Sequence, residues 1–350
     1  MRERGISAAA FHRIDLLRNY CQAAGHTTDW RWQYEFSGPG NLAWFANKRK
    51  LKEWIDSCDA VYTGSTDPAA HAAAASNGKK IIYDCHTPAI GENLMLFKSQ
   101  KNLRNFVLYL RTILHETIAA RRSGVITTVS DSAIQYFHTR FKRDLNDLFL
   151  VRNPVDLETF TPLPMPQTER ASFAYVGGMD RWQGIPDLIE AYASGDRSFD
   201  LAIVGFDEAN EPLRQKAESV GIRAFRRMPR QQALKVFEDA HFGVTATPKI
   251  CAVHMPGAFP TKWAEYLALG RAVAVTRAYD CAKLTEELKC GVVMEPGAAG
   301  ICAGLMAASS ITLGEREAMA QRGRSWVTEH CSLERAGDQF LAAAERAAGF

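Results

Sequence analysis

The sequence predicts an α/β protein of two domains, each a parallel sheet flanked by crossover helices. Three observations carry that prediction. Short β-branched runs alternate with longer amphipathic stretches through most of the chain, the pattern of strands joined by helices. These runs fall into two series, separated by a stretch that holds Pro154, Pro162, Pro164 and Pro166. A chain of 350 residues also exceeds what one ordinary core organises. The domains are therefore placed at 1–153 and 171–330, with 154–170 as linker and 331–350 as a closing helix that packs back toward the first domain.

In chain order, the amino-terminal stretch MRERGISAAAFHRIDLLRNYCQAAGH reads as a loop and a helix that ends near Gly25, with no apolar strand before it. The first sheet is thus expected to lack its opening strand, or the chain to begin late. Strands follow at 59–63 (DAVYT), 80–84 (KIIYD), 125–129 (VITTV) and 148–151 (LFLV). Asp67 and Pro68 open a helix between the first two, a capping side chain followed by a ring whose missing N–H costs nothing there. From Asn102 to Arg122, the spacing of Phe106, Leu110, Ile113, Leu114 and Ile118 predicts an amphipathic helix with that stripe turned to the core. The second series has strands at 173–176 (FAYV), 200–204 (DLAIV), 242–245 (FGVT), 272–276 (AVAVT) and 291–294 (GVVM), and two helices close the chain.

A hydrophobic content of 47% and a charged content of 23% exclude disordered, collagen-like and coiled-coil classes. Lys and Arg outnumber Asp and Glu by 20 to 14 in residues 1–150 and fall short by 22 to 25 in the remainder. The basic first half suits an anionic partner such as a phospholipid surface or a phosphorylated acceptor, although scattered solvated side chains give the same count. Nucleic acid is disfavoured as a partner, because the basic residues lack the interleaved aromatics of single-strand binders. The eight cysteines include no C-x-x-C pair and no Cys/His cluster of zinc spacing, so reduced thiols and no metal are expected. With no secretory h-region and no membrane-spanning apolar run, the expected location is the cytoplasm, with peripheral contact at the inner face of an anionic membrane.

Two segments carry chemistry. In HMPGAFPTKWAEYLALGRAVAVT (254–276), Pro260 interrupts the chain, Thr261 to Leu269 is helical in pattern, Gly270 ends the helix and a buried strand follows. A loop therefore feeds a helix amino terminus whose backbone N–H groups and partial positive charge suit a diphosphate. Lys262 adds a full charge in the first turn. Glu265 lies on the same face one turn deeper, where a carboxylate can accept two ribose hydroxyls. A plain intrahelical Lys262–Glu265 pair, worth about 0.3–0.5 kcal/mol, accounts for the same spacing. In YVGGMDRWQGIPDLIEA (175–191), Gly177 and Gly178 let the backbone approach a ligand and Arg181 is within reach of a phosphate oxygen. An ordinary strand-to-helix turn has that pattern too. It is not the G-x-G-x-x-G fingerprint, which disfavours a nicotinamide oxidoreductase.

With YDCHTP (83–88), VITTVS (125–130) and VRNPVDLETFTP (151–162), these segments in their order and spacing resemble family 4 of the GT-B-fold glycosyltransferases over nearly the whole chain. The resemblance implies two facing Rossmann-like domains with a central cleft, the carboxy-terminal one holding a nucleotide sugar such as a UDP- or GDP-sugar and the amino-terminal one the acceptor. It further implies a metal-independent hexosyltransferase that retains anomeric configuration, needs no cofactor, and builds polysaccharide or glycolipid on a saccharide or lipid-linked acceptor. By position, Glu265 matches the second Glu of the family's Glu-x7-Glu motif, which holds the ribose, with Thr261 and Lys262 beside the diphosphate. His86 matches a family histidine near the sugar and the acceptor and is the candidate catalytic residue. Asn153 falls in the family's Asn-x-Val-Asp element, where it shapes the interdomain turn.

Two departures stand out. The first Glu of Glu-x7-Glu falls on Gly257, and the family's Arg and Lys in the Gly-rich turn fall on Gly178 and Gln183. Arg181 and Lys262 stand close enough in sequence to replace the missing charge. The same departures open a second reading, a lapsed enzyme kept as a scaffold or binding subunit. A sugar-nucleotide epimerase on the same fold is a third, with less resemblance at PTKWAEYLALG. No Asp-x-Asp occurs, in keeping with leaving-group charge met by helix ends and cationic side chains.

Overall fold

The computed structural model describes residues 8–29, 48–255 and 257–349. The chain divides into two compact units. One holds the described residues up to Pro154, the segment His254–Phe259 and the chain from Leu333 onward; the other holds Val155–Val253 and Pro260–Ser332.

The first unit contains α1 (Ala8–Ala23), α2 (Lys48–Asp56), β1 (Val61–Thr63), α3 (Thr66–Ala75), β2 (Ile81–Cys85), α4 (Ala89–Ser99), α5 (Leu103–Arg122), β3 (Val125–Thr128), α6 (Asp131–Phe141) and β4 (Leu148–Leu150). Its strands lie in the order β1-β2-β3-β4, all parallel, with Ile82 opposite Val125 and Cys85 opposite Thr128. Every residue of β2 and β3 is buried, as happens when helices cover both faces of a parallel sheet. The opening-strand expectation falls on residues 1–7, outside the described residues. The last helix of the chain (Leu333–Ala348) belongs to this unit, where Ala336, Phe340, Ala343 and Ala347 pack with Leu17, Ile82, Val125 and Val151.

Two sequence expectations are corrected here. The core-facing side of α5 is Asn105, Thr112, Glu116, Ala119 and Ala120, while Phe106, Leu110 and Leu114 are exposed and Ile113 and Ile118 are half-buried. Small side chains on this line let the alanine-rich α3, with Ala69, Ala70, Ala72 and Ala73 buried, pack closely. Asp67 does not cap α3, whose N-cap is Ser65; its carboxylate instead meets Arg111 and the His115 Nδ1, the latter at 2.7 Å.

The second unit carries β5 (Ser172–Val176), α7 (Ile185–Ser194), β6 (Asp200–Phe206), α8 (Glu211–Ser219), β7 (Arg223–Arg226), α9 (Arg230–Leu234), β8 (Phe242–Thr245) and α10, which begins at Lys249 and ends at His254. After the excursion to Phe259 come α11 (Thr261–Ala268), β9 (Ala272–Thr276), α12 (Asp280–Leu288), β10 (Gly291–Met294), α13 (Ala298–Ser309) and α14 (Leu313–His330). Its strand order is β10-β9-β8-β5-β6-β7, again all parallel. Phe173, Phe199 and Phe242 anchor the core, with the Phe173 and Phe242 rings stacked at 5.1 Å. The unforeseen strand is β7, an exposed edge of sequence RAFR. The proline-rich stretch is fixed to this unit because the buried Arg271 donates to the carbonyls of Leu163 and Pro164 at 2.9 and 2.7 Å. Among the described residues, no single helix is long and apolar enough to cross a membrane.

Candidate functional site

In the second unit the candidate residues gather at the carboxyl end of β5 and the start of α11. Pro260 precedes α11 without a side-chain cap, so the first backbone N–H groups of the helix have no i−4 carbonyl to meet. Tyr266 ties the helix to the strand, since its hydroxyl accepts from the Val176 N–H at 3.0 Å and donates to the Val176 carbonyl at 3.2 Å. The Gly177–Gly178 turn follows directly. A Cβ at Gly177 would lie 2.7 Å from the Lys262 Nζ, so glycine there leaves the lysine its place. Gly178 is less constrained, because a Cβ would meet only the Asp180 carboxylate, at 3.0 Å or more.

Lys262 lies over the Tyr175 ring, with Nζ 4.5 Å from its centroid, and donates to the Tyr175 hydroxyl at 3.0 Å and to Gln183 Oε1 at 2.5 Å. Tyr175 in turn donates to the Gly178 carbonyl at 2.6 Å, which couples the lysine to the glycine turn. Burial pushes the Lys262 ammonium down to about 8, against the opposing pull of Glu265 and Asp180. Glu265 accepts from the Arg230 Nη2 at 2.6 Å, and that guanidinium sits 4.5 Å above the Phe160 ring. Each member of the Lys262–Glu265 pair therefore has its hydrogen-bonded partner outside α11. Thr261 is half-buried at the first position of the helix. Arg181 is exposed in the turn of 181–183 and makes no hydrogen bond or ion pair among the described residues, so the structure does not bring it into the Lys262 cluster.

His86 belongs to the first unit and follows β2, at the carboxyl end of a parallel strand. Its Nε2 lies 3.1 Å from Asp84 Oδ2. Asp84 is fully buried and accepts from Arg13 at 3.0 and 3.1 Å, from the Tyr62 hydroxyl at 2.6 Å and from Thr127 Oγ1 at 2.6 Å. Burial alone would raise this carboxyl, but the Arg13 guanidinium and His86 hold it well below the usual carboxylate range. Arg13 also donates to the Val151 and Arg152 carbonyls, both at 2.9 Å, and to Asn153 Oδ1 at 3.4 Å. Despite that short distance the buried His86 Nε2 makes no hydrogen bond to the carboxylate among the described residues, so Asp84 stands beside the ring as a neighbouring charge.

Gly257 explains itself through the first unit. With φ of +86°, its Cβ would fall 2.5 Å from the Ala133 Cβ and 2.8 Å from the Ala133 nitrogen, in the first turn of α6. The Ser130 hydroxyl donates to the Gly257 carbonyl at 2.7 Å while it also caps that helix. A glutamate does not fit this position without moving the backbone.

Among the described residues, no group of three His, Cys, Asp or Glu side chains is placed to hold a metal ion. All eight cysteines are free. Sequence reasoning missed Tyr175 and Gln183 as partners of Lys262, Arg230 as the partner of Glu265, and the Arg13–Asp84–Tyr62 group behind His86. Tyr175 and Gln183 lie inside the glycine-rich segment itself, so that segment was the available signal; the others are joined across tens of residues and leave no local pattern.

No protein-family model matches the chain, and no curated protein matches it either. Solved structures do. A glycosyltransferase from Rickettsia africae is similar over 100% of this chain and 96% of its own, with a TM-score of 0.71 at 15% identity. WaaG, a glycosyltransferase involved in lipopolysaccharide biosynthesis, is similar over 97% of this chain and 96% of its own, with a TM-score of 0.67 at 16% identity. Anabaena HepE in complex with UDP covers 85% of this chain and 81% of its own, with a TM-score of 0.64 at 14% identity. At such identities the likeness speaks to fold. The chain has the GT-B fold of these structures, two Rossmann-like units each built on a parallel sheet.

Proposed function

We propose that the chain is a glycosyltransferase that moves a sugar from a nucleotide-sugar donor to a hydroxyl acceptor. The observation that carries the reading is the start of α11, where Lys262 is held over the glycine turn and Glu265 lies one helical turn deeper. A departing nucleoside diphosphate develops negative charge, and a helix amino terminus with a prepositioned ammonium meets that charge without reorganising. Glu265, oriented by Arg230, accepts the ribose hydroxyls. Gly177 leaves Lys262 its place at the turn, and His86, beside the buried Asp84, serves the acceptor side. Transfer is of the hexosyl type, proceeds with retention as the resemblance implies, and needs no divalent ion. The acceptor is a saccharide or a lipid-linked saccharide of polysaccharide or glycolipid assembly, a choice supported by the basic first half and by the part that WaaG takes in lipopolysaccharide biosynthesis.

The test is a thermal-shift panel of nucleotide sugars, begun with UDP-sugars because HepE was crystallised with UDP. A true donor at 100 times its dissociation constant stabilises the protein by about 2.7 kcal/mol. Turnover of that donor persists in excess EDTA. A panel without any stabilising member, or turnover abolished by chelator, contradicts the reading.

Gly257 favours a second reading, in which the donor site persists for binding alone and the chain acts as a scaffold. Slow hydrolysis of the bound donor by the pure protein separates the two, since a scaffold releases no free sugar.

A further inference from the structure

The outer face of α5 is apolar and uncovered. Asn105, Thr112, Glu116 and Ala119 form the buried line of this helix, and Leu103, Val107, Leu110 and Leu114 lie about half a turn round from it. With Phe106, these five side chains are between 40 and 76% exposed. Single exposed apolar side chains are ordinary, but five on one helical face mark an interaction surface. On its flank α4 packs through Phe97 against Phe106 and Tyr109, at ring distances of 5.4 and 6.5 Å, and still leaves the outer line bare.

Charge decides what the occupant is. From residue 93 to residue 115 there is no Asp or Glu, whereas Lys98, Lys101 and Arg104 are present and exposed; Arg111 is exposed too, with Asp67 as its ion-pair partner. Arg104 and Arg111 are seven residues apart and run along one flank of the apolar line, and Arg121 continues the line at its far end. A second copy of the chain would bring these like-charged rows together. An anionic bilayer instead accepts the leucines at its acyl boundary while the Lys and Arg heads stay among the headgroups. We infer that α5 is a membrane-docking helix, lying in the plane of an anionic lipid surface through Leu103, Phe106, Val107, Leu110 and Leu114. The inference holds without the transferase reading, because vesicle binding is measured with neither nucleotide nor sugar.

The experiment is co-sedimentation of the full chain with vesicles of phosphatidylcholine alone or mixed with phosphatidylglycerol. The expected result is at least tenfold stronger partition onto the anionic vesicles, weakening with salt. Val107→Asp with Leu110→Asp lowers that partition at least tenfold and leaves the melting temperature unchanged, since both side chains are exposed. Lys101→Gln with Arg104→Gln removes most of the anionic preference and flattens the salt dependence. A parent protein that ignores both vesicles, or a double aspartate variant that binds like the parent, overturns the inference. So does a parent dimer in gel filtration that the aspartates dissolve while vesicles stay unbound, since the face then joins two copies.

Discussion

Raising the pH should weaken nucleotide-sugar binding, because Lys262 loses its charge early. Its ammonium, ordinarily at 10.5, is pushed down to about 8 by burial. About nine-tenths of the free protein therefore carries this charge at pH 7, and about one-tenth at pH 9. A diphosphate beside Nζ favours the charged form, so the value rises in the complex and binding takes up a proton. Affinity is then level below pH 7 and falls about tenfold between pH 7 and pH 9, equivalent to about 1.4 kcal/mol. Calorimetric titration with UDP-glucose measures both quantities, with the proton uptake, about half a proton per site at pH 8, taken from buffers of different ionisation enthalpy. Lys262→Met should bind weakly at every pH and show no slope. An affinity independent of pH with no proton uptake refutes the placement of Lys262 at the phosphates, as does a slope that survives in the Met variant.

Glu265→Gln should lower the affinity for a nucleoside diphosphate about tenfold and leave that for inorganic pyrophosphate unchanged; equal losses in calorimetry would refute its placement at the pentose. Asp84→Asn leaves Arg13 buried without its counter-charge and should cost about 3–5 kcal/mol in urea unfolding, so a loss below about 1 kcal/mol contradicts the role given to this group. Because the Asp84 carboxyl is held below its ordinary value, its contribution is present at neutral pH and lost only as pH falls below the usual carboxylate range. Gly257→Glu should destabilise by about 2 kcal/mol or more through its left-handed backbone and the contact with Ala133, and a melting temperature equal to the parent's would disprove that packing.

The strands were legible because buried β-branched runs such as VITTV and AVAVT have few other stable homes in a chain of this composition. The edge strand β7 escaped notice because RAFR is short, charged and exposed, with none of the apolar signal that marks an inner strand. For α5 the period was readable and the orientation was not. Amphipathic spacing says that one side of a helix is apolar, and only packing decides that the small-residue line meets α3 while the leucines face out. At the candidate site, Gly177, Lys262 and Glu265 were visible within single segments, since a helix start and a glycine turn are local features. Their partners were not. Lys262 reaches Gln183 and Tyr175 across 79 and 87 residues, and Arg13 reaches Asp84 across 71, separations at which sequence carries no distance information.

The central claim is that the first turn of α11 receives a diphosphate and Glu265 the adjoining pentose. A crystal of the protein grown with UDP or GDP tests it most directly. The account predicts phosphate oxygens within hydrogen-bonding distance of Lys262 Nζ and the Thr261 end of the helix, and both ribose hydroxyls on the Glu265 carboxylate. Nucleotide bound elsewhere on the chain, with Lys262 still lodged between Tyr175 and Gln183, would contradict it.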